Sequence, residues 1–123
     1  MLVIGLTKLE AKVISEFKNV SAADWVRFSN LLDIELQDAR LIKVEENQLF
    51  VVKNSDNNQQ IISFGSSRSG NGTDFRKMNA EGLGYQPMLM NVKQVMITQN
   101  AALIKIEVIL KDGFKGKYYW YAK

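Results

Sequence analysis

Apolar residues from Leu6 to Val20, then from Trp25 to Ala39, recur in steps of three and four, and beyond Ala39 the step changes to two. The first spacing belongs to one face of a 3.6-residue helix, the second to a strand half-covered on one side. Leu6, Leu9, Val13, Phe17 and Val20, then Trp25, Phe28, Leu32, Leu36 and Ala39, form the expected dry stripe. Lys8, Glu10, Lys12, Glu16 and Lys18, then Arg27, Asp33, Glu35, Gln37 and Asp38, form its wet back. A helix of about 30 residues would run roughly 45 Å, longer than the core of so small a domain, and would project beyond the sheet it packs on. Ser21-Ala22-Ala23-Asp24 is close to a capping box, so two stacked helices are the other reading.

The rest of the chain reads as short strands. Arg40–Val44 and Gln48–Lys53 flank the turn Glu45-Glu46-Asn47, a hairpin pattern. Gln59–Phe64 follows the polar cluster Asn54–Asn58. Asp74–Met78 is a brief strand with Phe75 facing in, and Met88-Leu89-Met90 continues into Val92–Thr98 as one strand. Gln99-Asn100 turns the chain into Ala102–Leu110, where Ile104, Ile106, Val108 and Leu110 share a face. Asp112-Gly113 turns it back into Phe114–Tyr121. A helix segregated from antiparallel strands predicts an α+β fold, with a long N-terminal helix packed on one antiparallel sheet of about seven strands. The expected division is 1–39 for the helix and 40–123 for the sheet domain, which forms one globular unit with the end of the helix.

The chain of 123 residues has no cysteine and no histidine. That removes disulfides, thiolate nucleophiles, Cys/His zinc sites and histidine triads together. Its net charge of +3 is only a weak pointer to a polyanionic partner. Gly65-Ser66-Ser67-Arg68-Ser69-Gly70-Asn71-Gly72 lacks the Gly-Lys-Ser/Thr ending of a P-loop. Gly82-x-Gly84 lacks the third glycine and the context of a dinucleotide fingerprint. Asp33, Glu35 and Asp38 are close in sequence, but residues two apart on a helix diverge, so a solvated face, with Asp38 near Arg40 or Lys43, is the expected reading. No nucleophile with an adjacent base is visible, and neither an enzymatic activity nor a cofactor or metal is expected.

In Tyr118-Tyr119-Trp120-Tyr121, alternation puts Tyr118 and Trp120 on one face and Tyr119 and Tyr121 on the other. With Lys115 and Lys117 nearby, Tyr119 and Tyr121 could form a stacking platform for single-stranded nucleic acid. A core pair backed by a half-covered cross-strand ladder is the plainer reading.

Asp74-Phe75-Arg76, a short link, then Gly84-Tyr85-Gln86-Pro87-Met88-Leu89 and Val92 resemble the competence pseudopilin family ComGF of Gram-positive bacteria. Trp25-x-x-Phe28 with Leu32 to Arg40, Lys43-Val44 through Leu49-Phe50-Val51, and Tyr118-Tyr119 extend the likeness over roughly 20–121. The resemblance implies a pilin-like fold and a minor subunit of a competence (type IV-like) pilus, which takes up DNA in natural transformation. Minor pseudopilins of type II secretion share the layout. Its implied partners are other major and minor competence pilins, with DNA as a further candidate. Its implied location is the cell membrane, through a single N-terminal helix, and the cell surface in the pilus.

Gly5-Leu6-Thr7-Lys8-Leu9-Glu10 imitates a prepilin cleavage signal, but Lys12, Glu16 and Lys18 would be costly in a bilayer. Met1–Leu6 is therefore expected to be the tail of a membrane helix lying upstream, a reading that favours one long projecting helix. Leu6, Leu9, Val13, Phe17 and Val20 are then the candidate face for partner pilins. Gly82, Gly84, Tyr85 and Pro87 form an expected structural clasp: glycines open unusual backbone angles, proline fixes the approach to the next strand, and the tyrosine pins the loop.

Overall fold

The computed structural model describes residues 8–55, 58–66, 74–81, 83, 84 and 86–123, and within the helix the side chains from Val20 onward. Among the described residues a helix, α1 (Lys8–Leu36), precedes eight strands. These are β1 (Ala39–Glu45), β2 (Gln48–Ser55), β3 (Asn58–Gly65), β4 (Asp74–Asn79), β5 (Gln86–Met90), β6 (Val92–Asn100), β7 (Leu103–Leu110) and β8 (Lys115–Tyr121). Strands β1 to β5 pair in chain order as one antiparallel sheet, and β6 to β8 as a second.

This corrects the expected pilin-like α+β fold, a long helix laid on one sheet of about seven strands. The described structure is mostly strand, divided between two antiparallel sheets of five and three. Asn91 makes the difference. The apolar run Met88–Thr98 was expected to be one strand, but Asn91 adopts a left-handed backbone (φ 59°). Asparagine tolerates that region better than other side-chain-bearing residues, and a strand cannot continue through it. The chain leaves the first sheet there and opens the second. The Asn91 carbonyl accepts the Lys111 amide at 2.8 Å, which ties the crossover to the turn after β7.

The hairpin turns have a simple local basis. Glu46 (φ 52°) and Asn47 (φ 58°) form the two-residue loop between the paired Glu45 and Gln48. Two left-handed residues match the twist of the flanking strands. Asn47 also reaches across the molecule, where its Oδ1 accepts the Ile97 amide of β6 at 3.2 Å. Ala101 and Ala102 turn the chain from β6 into β7, two residues later than the expected Gln99-Asn100. At Asp112-Gly113, Gly113 has φ 93°, and the Asp112 carboxylate accepts the Phe114 amide at 2.9 Å.

One core joins the two sheets and the end of the helix. Leu49, Val51, Phe64, Phe75 and Leu89 come from the first sheet, and Val95, Ile97, Ile104, Ile106, Val108, Tyr118 and Trp120 from the second. Alternation along β7 and β8 is regular, so every second residue faces in. From α1 come Phe28, Leu32 and Leu36, all fully buried. Each such side chain contributes about 1.5–3 kcal/mol through burial. Phe28 meets Phe75 edge-on at 4.9 Å between centroids, and Trp25 stacks obliquely on Phe28 and Phe114.

The helix does not end one stripe and resume it. Val20 is exposed while Phe28, Leu32 and Leu36 are buried. The step from Val20 to Trp25 is five residues, which turns the direction by about 140° around the axis. The expected single dry stripe is thus two. The helix is continuous through Ser21, whose hydroxyl donates to the Asp112 carboxylate instead of capping a second helix. Ala39, expected to end the helix, begins β1.

Candidate functional site

Helical geometry places Val20, Arg27, Leu31 and Ile34 on one side of α1, turned away from the core residues Phe28 and Leu32. Val20 is 67% exposed, Leu31 40% and Ile34 65%. Val20 alone represents the expected partner face here. Leu6 and the side chains of Leu9, Val13 and Phe17 lie outside what the structure describes. Leu31 and Ile34 were missed because they fall between the residues of the core stripe. Their signal was a second apolar spacing, eleven and fourteen residues after Val20, which brings both back near its side of the helix.

Two carboxylates on α1 anchor this helix to both sheets. Asp33 accepts the Tyr118 hydroxyl of β8 at 2.6 Å. Glu35 receives Lys53 of β2 at 3.1 Å and Lys77 of β4 at 2.9 Å. Burial opposes the charged form of Glu35, yet the hydrogen bonds and charges of Lys77 and Lys53 prevail, and its carboxyl stays below the ordinary value. Asp38 lies 3.7 Å from Lys53 rather than beside Arg40 or Lys43. The expected solvated acidic face is therefore a set of straps for Asp33 and Glu35. Their divergence on the helix is what lets one reach each sheet.

The outer face of the second sheet carries the other candidate surface. Lys115, Lys117, Tyr119 and Tyr121 all point outward from β8, while Gly116, Tyr118 and Trp120 point inward. Tyr119 is 53% exposed and Tyr121 73%. Lys105 of β7 lies opposite Tyr119, and Glu107 opposite Lys117. Lys105 and Glu107 pair with each other at 3.1 Å. Tyr118 and Trp120 are the core pair of the aromatic run, and of the outer pair Tyr119 is half covered, as the ladder reading expects, while Tyr121 is more open. Between the end of α1 and β8 runs an open groove of ≈ 480 Å³, bounded by Leu36, Trp120, Ile34 and Tyr121, which links the two surfaces.

The expected clasp is only partly in view, since Gly82 and Tyr85 lie outside the described residues. Gly84 has φ 81°, a conformation that favours glycine. Pro87 sits in β5, an edge strand, opposite Arg76. The residue that ties this turn is Asn79. Its Oδ1 accepts the amides of Glu81 at 3.1 Å and Leu83 at 2.9 Å, and its carbonyl accepts the Ser63 hydroxyl at 3.1 Å. An Asx turn before a glycine pair was the available signal. Among the described residues no group of three or more acidic side chains could hold a metal ion, and no helix is long and apolar enough to cross a membrane.

A two-sheet domain with an uncovered helix side and a basic, aromatic strand face offers surfaces for contact with other molecules. The chain belongs to the ComGF family of competence proteins, whose family model matches residues 9–115. That match runs from α1 to the first residue of β8, and membership gives the protein a role in competence. No curated protein and no solved structure matches the chain.

Proposed function

We propose that this chain is a minor pilin-like structural subunit of a competence pilus, taking part in pilus assembly and in DNA uptake during natural transformation. The observation that carries the reading is the uncovered apolar side of α1, where Val20, Leu31 and Ile34 face away from the domain's own core. A helix that is apolar on two sides has one more neighbour than its own domain supplies. The family's role in competence supplies the context. The neighbours in this reading are the helices of other major and minor competence pilins. The protein works by contact, without catalysis or a cofactor, and the precursor is held in the cell membrane by an N-terminal helix before it reaches the surface.

The test is co-purification of the full-length protein with the other competence pilins. Leu31→Glu with Ile34→Glu is expected to abolish co-purification and lower transformation frequency while the melting temperature stays put. Both residues are exposed, so the fold tolerates the charges. Unchanged co-purification in that variant would reject the helix face as the contact. A full-length protein that never associates with the other pilins would reject the subunit reading itself.

A further inference from the structure

From Asn91 onward the chain holds six lysines against Glu107 and Asp112, a surplus of four, whereas the whole chain has a surplus of three. Residues 1–90 together are thus slightly acidic, and the surplus of positive charge lies in the segment that builds the second sheet. Asp112 sits in a turn, where it accepts from Ser21 and from the Phe114 amide. Glu107 is the one carboxylate on the outer face of the sheet, and Lys105 already pairs with it. Lys115 and Lys117 make no ion pair among the described residues.

The geometry points to a binding track for single-stranded nucleic acid along the outer face of β8. Alternate side chains of a strand stand about 6.6 Å apart on one face. Lys115, Lys117, Tyr119 and Tyr121 therefore form a line about 20 Å long, with the two cations at one end and two open rings at the other. Lys105 stands beside Tyr119 on the neighbouring strand, its charge met by Glu107. Ammonium groups meet phosphates, and the phenol rings stack on bases whatever their identity. Base faces are available in a single strand and hidden in a duplex, so the exposed tyrosines select the single strand. An anionic bilayer would use the lysines and gain no comparable stacking from the rings. The track does not rest on the pilus reading: it is a property of β7 and β8, on a different element from the helix face.

The experiment is fluorescence anisotropy with a labelled dT oligonucleotide, titrated with the protein at several salt concentrations. Binding is expected at low salt and should fall steeply as salt rises. Lys115→Glu with Lys117→Glu should weaken it at least tenfold and flatten the logarithmic salt dependence by about 1.4, at roughly 0.7 per phosphate contact. Tyr119→Ala with Tyr121→Ala should weaken it about tenfold or more with the salt dependence unchanged, as stacking predicts. A duplex of the same length should bind more weakly. Circular dichroism melts of both variants should match the parent, because all four side chains are exposed. A flat titration at low salt overturns the proposal, as does binding indifferent to both double substitutions. Tighter association with phosphatidylglycerol vesicles than with the oligonucleotide, undisturbed by loss of the tyrosines, overturns it in favour of a membrane surface.

Discussion

Gly116 of β8 lies so close under Trp25 of α1 that a β-carbon there would stand 2.5 Å from the indole ring. Strand glycines often mark such close approaches. Gly116→Ala must therefore push the helix off the second sheet, and an overpacked core typically loses about 1–3 kcal/mol. A chemical denaturation curve is expected to show a lower midpoint with little change in slope. Trp25→Leu in the same chain should recover part of the loss, and the double-mutant cycle measures the coupling.

Tyr118 is expected to titrate above the ordinary range of a tyrosine. Burial, then the hydrogen bond and charge of Asp33, raise its phenol above the ordinary value of 10.0. A raised value in the folded state gives stability that is complete below 10.0 and lost as pH climbs beyond it. Absorbance at 295 nm should show a tyrosine ionisation displaced above 10.0, and Tyr118→Phe should remove it. Asp33 is exposed and regains water in that variant, so the stability lost should be about 1 kcal/mol.

Glu35 makes the opposite prediction in acid. Its carboxyl lies below the ordinary 4.5, held there by Lys77 and Lys53 against the cost of burial. Stability from this site is complete above 4.5 and lost as pH falls through the lower folded value. Glu35→Gln should cost about 2 kcal/mol at neutral pH, since it removes charged hydrogen bonds and leaves two lysines facing each other. The variant's stability profile should lack the acid-side decline that Glu35 gives the parent.

The sheet-to-sheet crossover can be tested at Asn91. Asn91→Gly should be close to neutral, because glycine adopts φ 59° freely. Asn91→Val should lose about 2 kcal/mol, a β-branched side chain being strained in the left-handed region. Equal losses in the two variants would mean that the backbone angle is not what the position demands.

Local chemistry made much of this readable from sequence. Alternation grouped Ile104, Ile106, Val108 and Leu110 on one face and Tyr118 with Trp120 on another, leaving open which aromatic pair is core, and Asp112-Gly113 marked the turn between their strands. The number of sheets was not readable, because Met88–Thr98 keeps an apolar pattern straight through Asn91 and one backbone angle decides the matter. Nor were the straps on α1. Asp33 finds its partner 85 residues away and Glu35 its nearer one 18 away, distances at which a charge on a helix looks solvated. The helix misled for a geometric reason: steps of three and four on either side of a five-residue gap look continuous on paper and point in different directions in space. The basic sheet face was visible as residue types, but its openness depends on nothing else packing over β8.

Asn47 blunts the far margin of the second sheet by occupying the Ile97 amide of β6, while among the described residues no strand lies beyond β8. Growth of this sheet by strand pairing is therefore one-ended. Two copies joined edge to edge along β8 would terminate each other instead of seeding a fibre.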